Sequence, residues 1–125
     1  MRRVLLDTHL LLWALGDPAR IPGPARAIIS ASEVYVSASS IWEISIKVAL
    51  GKLAADPREV LAALGPAGFL ELAVTGEHAA RVATLPGIHR DPFDRLLVAQ
   101  ALTEPMHLLT TDKALTGYGD IVSVV

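Results

Sequence analysis

Four carboxylates, Asp7, Glu43, Asp94 and Asp112, are the side chains of this sequence whose types and positions could do chemistry together. Taken one at a time, each has an ordinary explanation. Asp7 and Asp112 each follow an apolar run and precede a helical stretch, which is the place of a helix N-cap. Asp91-Pro92-Phe93-Asp94 reads as a helix start, with a capping acid, a proline at the first position and an acid in the first turn. Glu43 and Lys47 have the i,i+4 spacing of a solvated ion pair. Taken together they imply more. Carboxylates gathered at one point raise each other's pKa unless a cation sits among them. An all-oxygen ligand set selects a hard divalent ion, Mg²⁺ or Mn²⁺.

Other chemistries fit less well. His9, His78, His89 and His107 have no zinc-ligand spacing, and His89 draws interest only because it adjoins Arg90-Asp91. Ser37, Ser39 and Ser40 have no evident histidine base. The segment Gly65-Pro66-Ala67-Gly68 lacks the spacing and the lysine of a phosphate loop.

Strands and helices in alternation must bring these acids together. Strands are expected at residues 4–7, 34–36, 69–74, 107–111 and 121–125. Helices are expected at residues 9–15, 22–31, from about 38 to 50, from 56 to about 64, 75–85 and 91–103, with a helical turn at 112–116. Such alternation predicts an α/β fold, a parallel sheet of four to five strands flanked by helices. All strand carboxyl ends then share one edge, and ligands bind there at the topological switch point. Asp7 and Asp112 both fall at such ends. The stretch around Glu43 (Ile41, Trp42, Ile44, Ile46, Val48, Leu50) is apolar around much of its circumference, so an acid within it needs a partner.

The chain has 125 residues, the length of one domain over residues 1–125. It contains no cysteine, so disulfides and thiolate metal sites are excluded. A net charge of −2 gives no global attraction to nucleic acid, and any such contact requires a local basic patch. Asp7 and His9 interrupt the apolar stretch that follows Arg2-Arg3, and no run is long enough to span a membrane; a cytoplasmic protein is expected. With 52% hydrophobic residues and a mean hydropathy of +0.46, the chain should leave apolar surface uncovered. Segments 21–31 and 56–64 are the candidates for it.

Four blocks carry a family resemblance: Leu5-Leu6-Asp7-Thr8-His9, Ser40-Ile41-Trp42-Glu43-Ile44, Arg90-Asp91-Pro92-Phe93-Asp94-Arg95 and Leu109-Thr110-Thr111-Asp112. In this order they resemble the signature blocks of PIN domains, in a form similar to the VapC toxins of toxin–antitoxin pairs. The resemblance implies a single α/β/α PIN domain that acts as an Mg²⁺- or Mn²⁺-dependent endoribonuclease. Its metal-site acids would be Asp7, Glu43, Asp94 and Asp112. Asp94 fits better than Asp91 because Ala99 follows it by five residues, as in the family; Asp91 would cap the helix and at most touch the site from outside. Thr8 and Thr111 would support the acids by hydrogen bonds. Attack by water rather than by the ribose 2′-hydroxyl would leave 5′-phosphate and 3′-hydroxyl ends. Lys47, Lys52, Arg90, Arg95 and Lys113 are candidates to meet the RNA backbone. A small antitoxin and a second copy of the chain are the implied protein partners. Two other readings stay open on sequence alone: a catalytically silent binding protein of the same fold, and a phospho-accepting signalling domain.

Overall fold

A computed structural model describes residues 2–125. The chain runs β1 (Arg2–Leu6), α1 (Thr8–Gly16), α2 (Gly23–Ala31), β2 (Ser32–Ser37), α3 (Ala38–Ala49), α4 (Pro57–Ala63), β3 (Leu70–Leu72), α5 (Gly76–Arg81), α6 (Pro92–Thr103), β4 (His107–Thr110) and β5 (Val122–Val124). Short 3₁₀ turns occupy Pro18–Arg20, Val82–Thr84 and Lys113–Tyr118.

The five strands are all parallel, in the order β3-β2-β1-β4-β5. β1 lies at the centre because Val4, Leu5 and Leu6 are apolar on both faces, and a strand covered on both sides must be so. Side-chain alternation then sorts the core into two layers. Val4 and Leu6 join Val34, Val36 and Leu109 beneath residues of α1, α2 and α3 (Leu10, Leu11, Ala25, Ile44). Leu5 points the other way, joining Leu108 and Val122 against Leu97, Val98 and Ala101 of α6. The result is helix, sheet, helix, as the sequence predicts.

The order of strands also fixes where a crevice opens. From β1 the chain moves outward through β2 to β3, then returns to the far side of β1 as β4. Connections leaving β1 and β4 therefore diverge onto opposite faces, and the gap between their carboxyl ends is the switch point.

Some expectations needed correction. The strand predicted at 69–74 is only Leu70–Leu72. Its flanks leave the ladder: the Phe69 N–H goes back to the Leu64 carbonyl, and the Thr75 N–H goes to the His78 ring. The helix predicted at 75–85 ends at Arg81 and continues as a 3₁₀ turn. Segment 21–31 is not free apolar surface, since Ile21 and Ala25 are buried and Ile28 and Ile29 pack on the first core layer. Segment 56–64 does hold an open apolar side chain, Leu61, and others among the described residues are Trp42, Leu50, Leu70, Val74 and Ile88. Among the described residues, no helix is long and apolar enough to cross a membrane.

Candidate active site

At the switch point, a cavity of about 280 Å³ is lined by Asp7, Glu43, Asp94 and Asp112, together with Thr8, Asp91, Thr111 and Lys47. The four acids come from separate elements, and each reaches the cavity by a local device.

Asp7 follows β1 and caps α1, its Oδ1 accepting the Leu10 N–H at 2.8 Å. Its Oδ2 accepts the hydroxyl of Thr110. The side chain is only 4% exposed, and burial raises its pKa despite those hydrogen bonds, which act to lower it. Asp112 repeats the construction after β4: Oδ1 caps the following 3₁₀ turn through the Ala114 N–H at 2.9 Å, leaving Oδ2 toward the cavity. In both acids one oxygen caps a helical turn, and the other meets a side chain, Thr110 for Asp7 and His89 for Asp112.

Glu43 sits one turn into α3, which Ser37 caps. It is 8% exposed although its neighbour Trp42 is 62% exposed and Leu50 63%, so α3 is not packed all round as its composition suggests. The partners its burial requires are present: Thr8 donates to Oε1 at 2.7 Å, and Lys47 Nζ lies 2.8 Å from Oε2. Thr8 Oγ1 is also 3.0 Å from Ser40 Oγ.

Asp91 and Asp94 divide the labour of the α6 start. Asp91 Oδ1 accepts both the Phe93 and the Asp94 N–H, at 2.8 and 3.1 Å, which is helix capping. Asp94 sits within the first helical turn, facing the other acids. Its pKa is pushed up to about 6, first by burial and then by the negative charges of Asp91, Glu43 and Asp7, with His89 acting in the opposite sense. Burial, and after it the neighbouring acids, disfavour its charged form, and a cation in the cavity would offset both. The donor set fits a hard divalent ion: carboxylates from four elements around one small polar space.

One support residue differs from expectation. Thr8 bonds Glu43 as foreseen, but Thr110 rather than Thr111 holds Asp7 and also accepts the Asp112 N–H at 3.0 Å. Thr111 lines the cavity. Thr110, Ser40, His9 and Trp13 are site residues that sequence reasoning missed; adjacent threonines gave no sign of which one faces β1. Of the basic candidates, only Lys47 lines the cavity, while Lys52, Arg90 and Lys113 are exposed outside its lining. Arg95 is turned away, its guanidinium donating to the carbonyls of Val82 and Pro86 at 3.1 and 3.0 Å, so it braces a loop.

A parallel α/β/α domain with an acid-lined switch-point cavity defines a class, and the comparisons name it. Residues 4–120 match the PIN domain family, and the chain belongs to it. It is 33% identical over 127 residues to Ribonuclease VapC22 of Mycobacterium tuberculosis, covering 94% of this chain and 93% of that protein. Among solved structures, DNA-bound VapBC from Salmonella typhimurium superposes with a TM-score of 0.70 at 14% identity, over 99% of this chain and 98% of that one. VapBC-5 from Mycobacterium tuberculosis gives a TM-score of 0.60 at 22% identity, over 100% and 98%. At such identities these two attest the fold.

Proposed function

We propose that this chain, as one PIN domain over residues 1–125, is an Mg²⁺- or Mn²⁺-dependent endoribonuclease and the toxin of a toxin–antitoxin pair, acting in the cytoplasm. One observation carries the catalytic part: carboxylates from four separate elements converge on a single small cavity. Asp7, Glu43, Asp94 and Asp112 would hold the cation. When bound, such an ion supplies Lewis acidity toward a phosphodiester and lowers the pKa of a coordinated water.

The chain's own groups supply the rest. Thr110 and the α1 amide orient Asp7, and Thr8 orients Glu43, so neither acid must reorganise as charge develops. One of the four acids would also take a proton from the attacking water. Lys47 stands at the cavity wall as the nearest cation for an RNA phosphate; Lys52, Arg90 and Lys113 would act farther along the strand. The ribonuclease reading agrees with the name of the 33%-identical relative, Ribonuclease VapC22.

The antitoxin reading rests on the VapBC complexes that share the fold. An apolar groove lined by Leu12, Leu15, Leu53 and Val60 would receive the antitoxin's apolar side chains. Exposed Trp42, Leu50 and Leu61 suit a homodimer contact.

Incubating purified, partner-free protein with total RNA, with Mg²⁺ and with EDTA, tests the catalytic reading. Cleavage that stops on chelation, returns with Mg²⁺ or Mn²⁺ and leaves 5′-phosphate ends is expected. Metal-independent cleavage, or no cleavage at any metal concentration, overturns it. Expression without the antitoxin should arrest a host cell, and sedimentation should give a dimer or larger species.

A further inference from the structure

His89 reaches two of this cavity's acids without being one of them. Its Nε2 lies 3.3 Å from Asp112 Oδ2 and 3.5 Å from Asp94 Oδ2. These three side chains could be taken for a metal-ligand group, since one donor atom from each lies within 4.8 Å of the others. The other ring nitrogen argues against that. Nδ1 accepts the Asp91 N–H at 3.0 Å, so it carries a lone pair and no proton. A neutral imidazole with a bare Nδ1 has its proton on Nε2, directed at the acids. A ligating Nε2 would need the reverse tautomer, with Nδ1–H donating to an acceptor, and here Nδ1 meets another donor.

The loop that carries His89 is braced from several sides. Its own N–H donates to the Tyr118 hydroxyl at 3.1 Å, and the same oxygen accepts from Arg95 Nη1 at 3.3 Å. Arg95 also ties down the Val82 and Pro86 carbonyls upstream. Beside it, a Cβ on Gly117 would stand 2.9 Å from Ile88 Cδ1, so the bare backbone there lets the loop lie close against the 3₁₀ turn after Asp112. The ring is thus fixed relative to both acids before anything binds.

We propose that His89 is a positioning residue: its Nε2–H bridges Asp112 and Asp94, holding two carboxylates from different elements in the arrangement that receives a divalent cation, and it does not itself ligate the ion. This inference rests on reading the acid cavity as a cation site. Loss of a hydrogen-bonding partner behind a ligand typically weakens metal binding about 10–100-fold.

Two substitutions separate the ring's two nitrogens. His89→Asn keeps a short acceptor for the Asp91 N–H but no longer reaches the acids. His89→Gln places an N–H near the Nε2 position. Mn²⁺ affinity, measured by calorimetry on the full chain, should fall about tenfold or more in His89→Asn and recover most of that loss in His89→Gln. Long-range ¹H–¹⁵N spectra of the unmutated protein provide a check that needs no variant to fold: the proton should reside on Nε2 with and without Mg²⁺. Unchanged affinity in His89→Asn, or a deprotonated Nε2 in the Mg²⁺-loaded protein, overturns the proposal. RNA cleavage combined with unchanged affinity in His89→Asn sinks the inference alone. His89-dependent Mn²⁺ binding without any RNA cleavage sinks the nuclease reading alone.

Discussion

Two histidines in this chain are built alike and sit in opposite circumstances. His78 in α5 and His89 before α6 each accept a backbone N–H at Nδ1, from Thr75 and Asp91 respectively, both at 3.0 Å. Each turns Nε2 toward carboxylate: Glu104 for His78, and Asp112 with Asp94 for His89. His78 is fully buried and meets one acid, and it staples α5 to the end of α6. His89 is partly exposed and faces a cavity that also holds Asp7 and Glu43. There the ring meets two acids of a group of four, and burial together with those neighbours holds the Asp94 pKa up. The same local construction is a structural lock in one place and part of the proposed cation site in the other. What differs is the number of acids that tertiary structure delivers to it.

Substitution sharpens that contrast most at Asp94. Asp94→Asn keeps shape but removes a charge from the proposed metal site, so RNA cleavage should fall by more than the roughly 100-fold that loss of an outer partner can cost. Circular dichroism should show the fold intact. Retention of full activity would remove Asp94 from the metal site. At the structural histidine the expected loss is stability. His78→Ala leaves a cavity and an unpaired Thr75 N–H, at a cost of about 2–3 kcal/mol, or roughly 10 °C in Tm. Residual folded protein should cleave RNA at the normal rate per molecule; a stable but inactive His78→Ala would erase the distinction between the two rings.

A smaller effect concerns pH. Asp94 titrates near 6 in the fold against 3.8 when unperturbed, so between those values the folded state binds more protons than the unfolded one. Its contribution to the stability of the metal-free protein therefore declines as pH rises from about 4 to 6 and returns on acidification. In EDTA, Asp94→Asn should flatten that part of the Tm profile and melt a few degrees higher at pH 7. An unchanged difference between the two proteins across the range would show that Asp94 carries no excess repulsion. Mildest of all should be Asp91→Asn, because Asn caps a helix about as well as Asp. A few-fold loss of activity is expected. Should Asp91→Asn prove more damaging than Asp94→Asn, the two acids have been assigned the wrong way round.

Sequence patterning determined the alternation of elements, the layer architecture and the identity of the acids, because these follow from local rules. Apolar runs make buried strands, and proline and acidic caps mark the start of α6. Those same rules explained Asp7, Asp91 and Asp112 fully as caps, and so could not tell which oxygen was left for other work. Register decided that. Leu6 pairs with Leu109, which sets Thr110 rather than Thr111 beside Asp7. Packing decided that Glu43 is buried beside an exposed Trp42, a pairing that composition around the helix had pointed against. It also decided that Arg95 braces a loop and that His89 meets Asp94 and Asp112. These facts depend on which side chains meet across elements far apart in the chain. Propensity and spacing act over a few residues, whereas charge balance in a cavity depends on everything the fold brings within reach.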